Sequence, residues 1–250
     1  MSEKIVTACV VIIGNEILSG RTQDINLNHI ALTLNTWGIR VREARVIPDI
    51  EDVIVDTVND ARAIYDYVFT TGGIGPTHDD ITADCIAKAF GVPLVVNDEI
   101  AAIIRRRPAP ADVMESRLRM ARIPEGASLV ANTTGGPPGF CIDNVYVMAG
   151  IPGVMQAMLS SLQDTLEGGS VVRSLQVTAY CGESTIATGL GRIQDDHPKI
   201  DIGSYPFYRN DRYGTTLVMR GSDEAELRQT LEAVKGIIIE AGEEPVEHPE

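Results

Sequence analysis

Residues Tyr67–Phe90 read YVFTTGGIGPTHDDITADCIAKAF. A short apolar strand runs into three glycines and a proline and then passes two adjacent aspartates. After them Ile81, Cys85, Ile86, Ala89 and Phe90 recur at helical spacing. Strand, glycine loop and helix in that order form the repeating unit of a parallel sheet, whose ligands sit beyond the C-terminal strand ends. Gly72, Gly73 and Gly75 permit positive φ and close backbone approach to a ligand. Free N–H groups at the start of the helix would face a phosphate. No Lys-Ser/Thr pair follows the glycines and their spacing is not G-x-G-x-x-G, so neither standard nucleotide fingerprint is present.

Upstream, Ile5–Ile13 (IVTACVVII) is almost wholly β-branched and apolar, the mark of a strand covered on both faces. Leu27, Ile30, Ala31, Leu34 and Trp37 then trace one helix face, with Gly38 placed to end it. Ile39–Ile47 reads as a second strand, and Asp52–Tyr65 as a helix with Val53, Ile54, Val58, Ala61 and Ile64 on one side. Downstream, residues 98–123 read as helix broken at Pro108 and Pro110. Val145–Ala149 reads as a strand and Val154–Leu162 as a helix. The expected fold is α/β and three-layered, a mainly parallel sheet with helices on both faces. This domain should close near residue 166, with Leu166–Ser170 (LEGGS) as a linker.

Residues 171–250 change order. Val171–Tyr180 alternates as a strand, Glu183–Gln194 as a helix, and Asp201–Phe207 and Thr215–Arg220 as two more strands. Ser222 should cap a last helix carrying Leu227, Leu231, Val234 and Ile238. This β-α-β-β-α set makes a small α+β layer, read as a packing or dimer element. Gly189-Leu190-Gly191 is not the clamp of an RNA-binding loop, and the acidic tail GEEPVEHPE should fray.

A formal charge of −14 argues against broad binding to nucleic acid or anionic membranes. Any phosphate must then be held by backbone N–H groups, by a few placed arginines or through a divalent cation. Arg105–Arg107, Arg117, Arg119 and Arg122 lie where a lid could supply them, although an exposed run is the commoner meaning of such a cluster. No apolar run reaches the roughly 18 residues of a membrane span. The apolar start lacks a signal-peptide cleavage pattern, and the four cysteines lack metal-clip or redox spacing. A cytoplasmic protein with buried free thiols is expected.

The acidic pair Asp79-Asp80 in a glycine loop has two readings. Carboxylates near a helix start stabilise the helix dipole. Alternatively, an acid beside a phosphate site is repulsive unless a divalent cation stands between them, and Mg²⁺ typically takes one or two carboxylates plus substrate phosphates.

TTGGIGPTHDDIT resembles the signature loop of the molybdopterin-binding MoaB/Mog family. GNEILSGRTQDINLNHIALTL, ARIPEGASLVANTTGGPPGF and AGIPGVMQAML are similar to its CinA branch. The resemblance is closer still to the molybdopterin-binding-like domain of eukaryotic FAD synthase, which has GGIGPTHDD, a G-I-P segment and a G-S-Y-P segment like Gly203–Pro206. The resemblance implies a ligand across the C-terminal edge of the sheet. Asp80 matches the family's loop aspartate, and Asp49, in VIPD, its second functional aspartate. Together they form the implied catalytic, metal-linked pair, with Asp79 as the alternative, since adjacency leaves open which of the two faces inward. Gly14, Asn15, Glu16, Asp24, Asn26, Gly72, Gly73, Gly75, Gly150, Pro152 and Gly153 match the ligand-binding loops. His78 stands where CinA members commonly have lysine, and is either a phosphate contact or a solvent-facing loop residue.

The implied chemistry is divalent-metal-dependent hydrolysis of the pyrophosphate of FAD or ADP-ribose. The alternative is a molybdopterin-binding protein without turnover, and a third possibility is an interaction domain. The synthase's own catalytic domain and CinA's amidase domain are not in this sequence, so neither activity is expected of it. The implied partners are a nucleotide or pterin, with homo-oligomers the default.

Overall fold

The computed structural model describes residues 4–209 and 211–247. The chain divides into two compact units, with the boundary at Ser170/Val171.

The first unit begins with β1 (Val6–Ile13), the short α1 (Asn15–Leu18), α2 (Asn26–Thr36), β2 (Ile39–Ile47), α3 (Glu51–Ile64), β3 (Tyr67–Thr71) and α4 (Thr82–Phe90). It continues with β4 (Leu94–Val96), α5 (Asp98–Arg105), α6 (Ala111–Leu118), a 3-10 turn at Arg119–Ala121 and β5 (Arg122–Pro124). It ends with β6 (Ser128–Val130), β7 (Gly139–Ile142), β8 (Val145–Met148) and α7 (Pro152–Ser160). The main sheet has the order β2-β1-β3-β8-β7-β6. Its first four strands run parallel, and β7 and β6 return as antiparallel hairpins. The β4–β5 pair makes a separate antiparallel ribbon.

β1 explains why the sequence begins as it does. Cys9, Val11 and Ile13 enter one core, together with Ile54, Val58, Ile86, Ile100 and Ile104 from α3, α4 and α5. Ala8, Val10 and Ile12 enter the other, against Ile30, Leu34, Met155 and Leu159 from α2 and α7. A strand buried on both faces has no polar positions to spare. Each of its valines and isoleucines contributes about 1.5–3 kcal/mol of transfer free energy. Trp37 packs at the margin of the second core. The chain reverses direction across the sheet between β2 and β3, on either side of β1, and a crevice opens there at the C-terminal strand ends.

The stretch expected as helix to residue 123 ends in β5, because Arg122–Pro124 pairs with Leu94–Val96. The segment expected as a linker is laid along the first unit, with Gly169 N bonded to Gly38 O and Ser170 N to Lys4 O. The antiparallel strands β6 and β7 are absent from the sequence reading; at three and four residues they are too short to show a period.

The second unit contains β9 (Arg173–Ala179), α8 (Glu183–Asp196), β10 (Asp201–Arg209), β11 (Arg212–Gly221), α9 (Glu224–Glu240) and β12 (Val246–Glu247). Its sheet order is β10-β11-β9-β12, with every pairing antiparallel. Val177, Ala179, Leu217 and Met219 form one side of its core. Ile186, Ile193, Leu227, Leu231, Val234 and Ile238 close it from α8 and α9. The cap of α9 is Asp223 and not Ser222: its carboxylate accepts from Ala225 N at 2.9 Å and Glu226 N at 3.0 Å. Of the tail expected to fray, Val246 and Glu247 pair with β9, and residues 248–250 lie outside the described set. Among the described residues no helix is long and apolar enough to cross a membrane.

Candidate functional site

The loops after β1, β3 and β8 meet at the crevice. Gly72, at φ 104°, lies against the end of β1, where an added Cβ would stand 2.1 Å from Ile13 O. Gly73, at φ 67°, lies against Thr82, whose hydroxyl donates to Gly72 O at 3.0 Å and whose N–H donates to Gly73 O at 3.0 Å. The glycines are therefore required first by the chain's own packing. The Thr82 N–H expected to face a phosphate is already bonded within the loop. Gly72 N also donates to Met148 O, which joins the loop to the end of β8.

Around this loop opens a cavity of about 770 Å³. Of the ligand-binding set, Glu16, Gly72, Gly73, Gly75, Asp80, Gly150 and Pro152 line it. Asp80 answers the question of inward direction. It lines the cavity, folded beneath Gly75, with Oδ2 accepting from Thr77 N at 2.8 Å and Thr77 Oγ1 at 2.5 Å. Asp79 is not part of the lining. Its carboxylate takes the Thr77 hydroxyl at 2.6 Å, and that bond, with help from its own backbone N–H and nearby His78, holds it below the usual carboxylate range. His78 is almost fully exposed, its ring 3.9 Å from Asp79. Neither aspartate lies within α4, which begins at Thr82.

Gly14, Asn15, Asp24, Asn26, Asp49 and Gly153 also lie outside the lining. Asp49 Oδ2 accepts from Asn15 N at 2.8 Å and so fixes the start of α1, the element that carries Glu16. Asp24 accepts from Asn26 N and Leu27 N, capping α2. Buried Asn26 donates from Nδ2 to Gly150 O at 2.8 Å, tying α2 to the loop after β8. Asp49 and Asn26 thus hold segments that line the cavity, those of Glu16 and Gly150.

Of the six arginines considered for a lid, Arg107, Arg119 and Arg122 line the cavity and the other three do not. Arg122 also contacts Asp84 at 3.2 Å. This explains a glycine loop without a lysine: the cations come from residues far along the chain. Asn132 and Thr134 of the NTTGGPPG loop join them. Ile74, Met120, Ile123, Phe140, Val154 and Met158 form an apolar wall. None of those six is legible as a site residue in the sequence, because they come from four separate segments, the glycine loop, the 119–124 stretch, β7 and α7, which only the fold brings together.

Among the described residues no group of three or more His, Cys, Asp or Glu side chains could hold a metal ion. A cage made by the protein alone does not fit. Glu16 and Asp80 both line the cavity, and carboxylates are the donor type a hard cation takes alongside phosphate oxygens and water.

The family model described as probable molybdopterin binding domain matches residues 9–168. The chain belongs to that family. Residues 171–244 match a second model, FAD synthase, middle domain. Protein Ta0487 of Thermoplasma acidophilum is 31% identical over 245 residues, which cover 94% of each chain. The probable FAD synthase of Caenorhabditis elegans is 30% identical over 260 residues, covering 91% of this chain and 48% of the worm protein. The crystal structure of CinA from Thermoplasma acidophilum, described as of unknown function, is 34% identical. It superposes with a TM-score of 0.59 over 63% of this chain and 96% of its own. The chain is thus a CinA-like, MoaB/Mog-type domain joined to a FAD synthase middle domain.

Proposed function

We propose that the first unit binds an adenine-containing pyrophosphate, FAD or ADP-ribose, and hydrolyses it with a divalent metal ion. The observation that carries this reading is the composition of one cavity: an apolar wall, three arginines and two carboxylates around a glycine loop. Flat rings suit the wall, phosphates suit the guanidinium forks, and a cation reconciles the carboxylates with the phosphates. Mg²⁺ or a similar ion bound by Asp80 and Glu16 would polarise a phosphoryl oxygen and orient water. Asp49 is a positioning residue in this scheme, acting through Asn15 on α1. Arg107, Arg119 and Arg122 hold the two phosphoryl groups as charge develops on the leaving oxygen. Water adds across the P–O–P bond, giving AMP together with FMN or ribose phosphate.

The test is product formation from FAD, ADP-ribose and NAD with Mg²⁺, Mn²⁺ or Co²⁺, on wild type and Asp80→Asn. AMP released by wild type alone, and only with metal, is the expected result. Wild-type activity in Asp80→Asn would remove Asp80 from the site. No product in any combination would favour the second reading, molybdopterin binding without turnover, which the description of the matched family supports. A rise in melting temperature with molybdopterin then tests that reading by mass action.

A further inference from the structure

The second unit has a sheet with two unlike faces. α8 and α9 cover one of them, over Val177, Ala179, Leu217 and Met219. On the other face alternation places Tyr180 of the β9 end, Tyr205, Phe207 and Arg209 of β10, and Arg212 and Arg220 of β11. The rings lie flat on the strands. A Cβ added to Gly203 would stand 2.8 Å from Tyr205 Cε2, and one added to Gly214 would stand 2.4 Å from Phe207 Cζ. Tyr180 and Phe207 meet edge to face, their centroids 6.0 Å apart.

Each ring has its own guanidinium. Arg212 lies 4.2 Å from the Tyr180 centroid, Arg209 5.3 Å from that of Phe207, and Arg220 5.7 Å from that of Tyr205. Arg220 also donates to the Tyr205 hydroxyl at 3.0 Å and lies 3.9 Å from Asp201. Arg209 and Arg212 have no acidic partner among the described residues. A face on which Tyr205, Arg209 and Arg212 are exposed and Tyr180, Phe207 and Arg220 half-buried, three rings with three guanidiniums, stands out in a chain of net charge −14.

We propose that this face binds single-stranded RNA. Bases have π-faces that stack on rings or on guanidinium planes, and every base is joined to a phosphate that an adjacent arginine can hold. An acidic peptide offers the charges without the stacking surface. A duplex hides its base faces. On the same face the Tyr205 hydroxyl, which accepts from Arg220 and keeps its own proton to donate, and the Gln176 amide offer a 2′-hydroxyl both a donor and an acceptor, while Thr216 is bonded to Thr178. The overall negative charge excludes broad electrostatic binding, and the proposal needs only three phosphate contacts on one face.

The experiment is fluorescence anisotropy of labelled single-stranded RNA about 12 nucleotides long, with the whole chain in about 50 mM salt. The variants are Tyr205→Ala and Arg212→Gln, both at exposed positions, with circular dichroism to confirm that each folds. The expected result is saturable binding, weakened about tenfold or more in each folded variant. Its dependence on salt should have a log–log slope of about −2, for three single-strand phosphate contacts. Unlabelled duplex RNA and polyglutamate should fail to compete. Absence of saturation, unchanged binding in both variants, or equal competition by polyglutamate would each overturn the proposal. DNA of the same sequence bound as tightly as RNA would overturn the assignment of RNA.

Discussion

Gly72 is packed against main chain. Its positive φ and the 2.1 Å separation that an added Cβ would have from Ile13 O leave no room for a side chain. Gly72→Ala should therefore destabilise the first unit by about 2 kcal/mol or more, read as a lowered urea midpoint. Gly153→Ala is the control, since an added Cβ there meets nothing within 4 Å. Equal effects of the two would show that the loop relaxes. The aspartates teach a related lesson. Asp79 and Asp80 are equivalent by composition, and only Thr77 separates them. Its backbone N–H donates to Asp80 alone, its one hydroxyl proton is shared between the two, and Asp80 is folded inward beneath Gly75. Sequence spacing carries no information about that choice.

At the scale of elements, period and punctuation are legible. Ile39–Ile47 and Tyr67–Thr71 are strands with the bounds read from their β-branched runs. α4 ends at Gly91 in the left-handed conformation, as its glycine indicates. The cap of α9 lies one residue beyond the expected Ser222, because Ser222 and Asp223 are both good caps and only the geometry selects between them. Asp223→Ala should cost about 1 kcal/mol of stability in the second unit, while Ser222→Ala should cost a few tenths. Chemical denaturation followed by far-UV circular dichroism distinguishes them, and the reverse order would return the cap to Ser222. β4, β5, β6 and β7 escape a sequence reading because strands of three or four residues show no period that sets them apart from loop.

At the scale of the molecule, burial governs the thiols. It pushes Cys9 up from 9.0 to about 11 and Cys85 up to about 12, so both are neutral at physiological pH. In the unfolded chain they ionise near 9.0. The stability they lend is whole below that value and is lost as pH rises through their folded values. The melting temperature should fall as pH goes from 9 toward 11, and Cys9→Ala/Cys85→Ala should flatten that fall. An equally steep fall in the double variant would assign it to other groups. The same burial should make both thiols slow to react with alkylating reagents until the chain unfolds.

The sequence by itself determined the layered α/β order, the two-sided burial of β1, the division into two units of different type, and the glycine-rich loops that follow the strands. These follow from local periodicity and from glycine and proline punctuation, which act over a few residues. Tertiary structure alone decided which aspartate faces inward and that Asp49 braces α1 outside the cavity lining. It also decided that Arg107, Arg119 and Arg122 share the cavity with Glu16 and Asp80. It placed three rings and three arginines on one open sheet face. The cavity and the ringed face bring together residues of separate elements through strand order and register, quantities that no local pattern encodes.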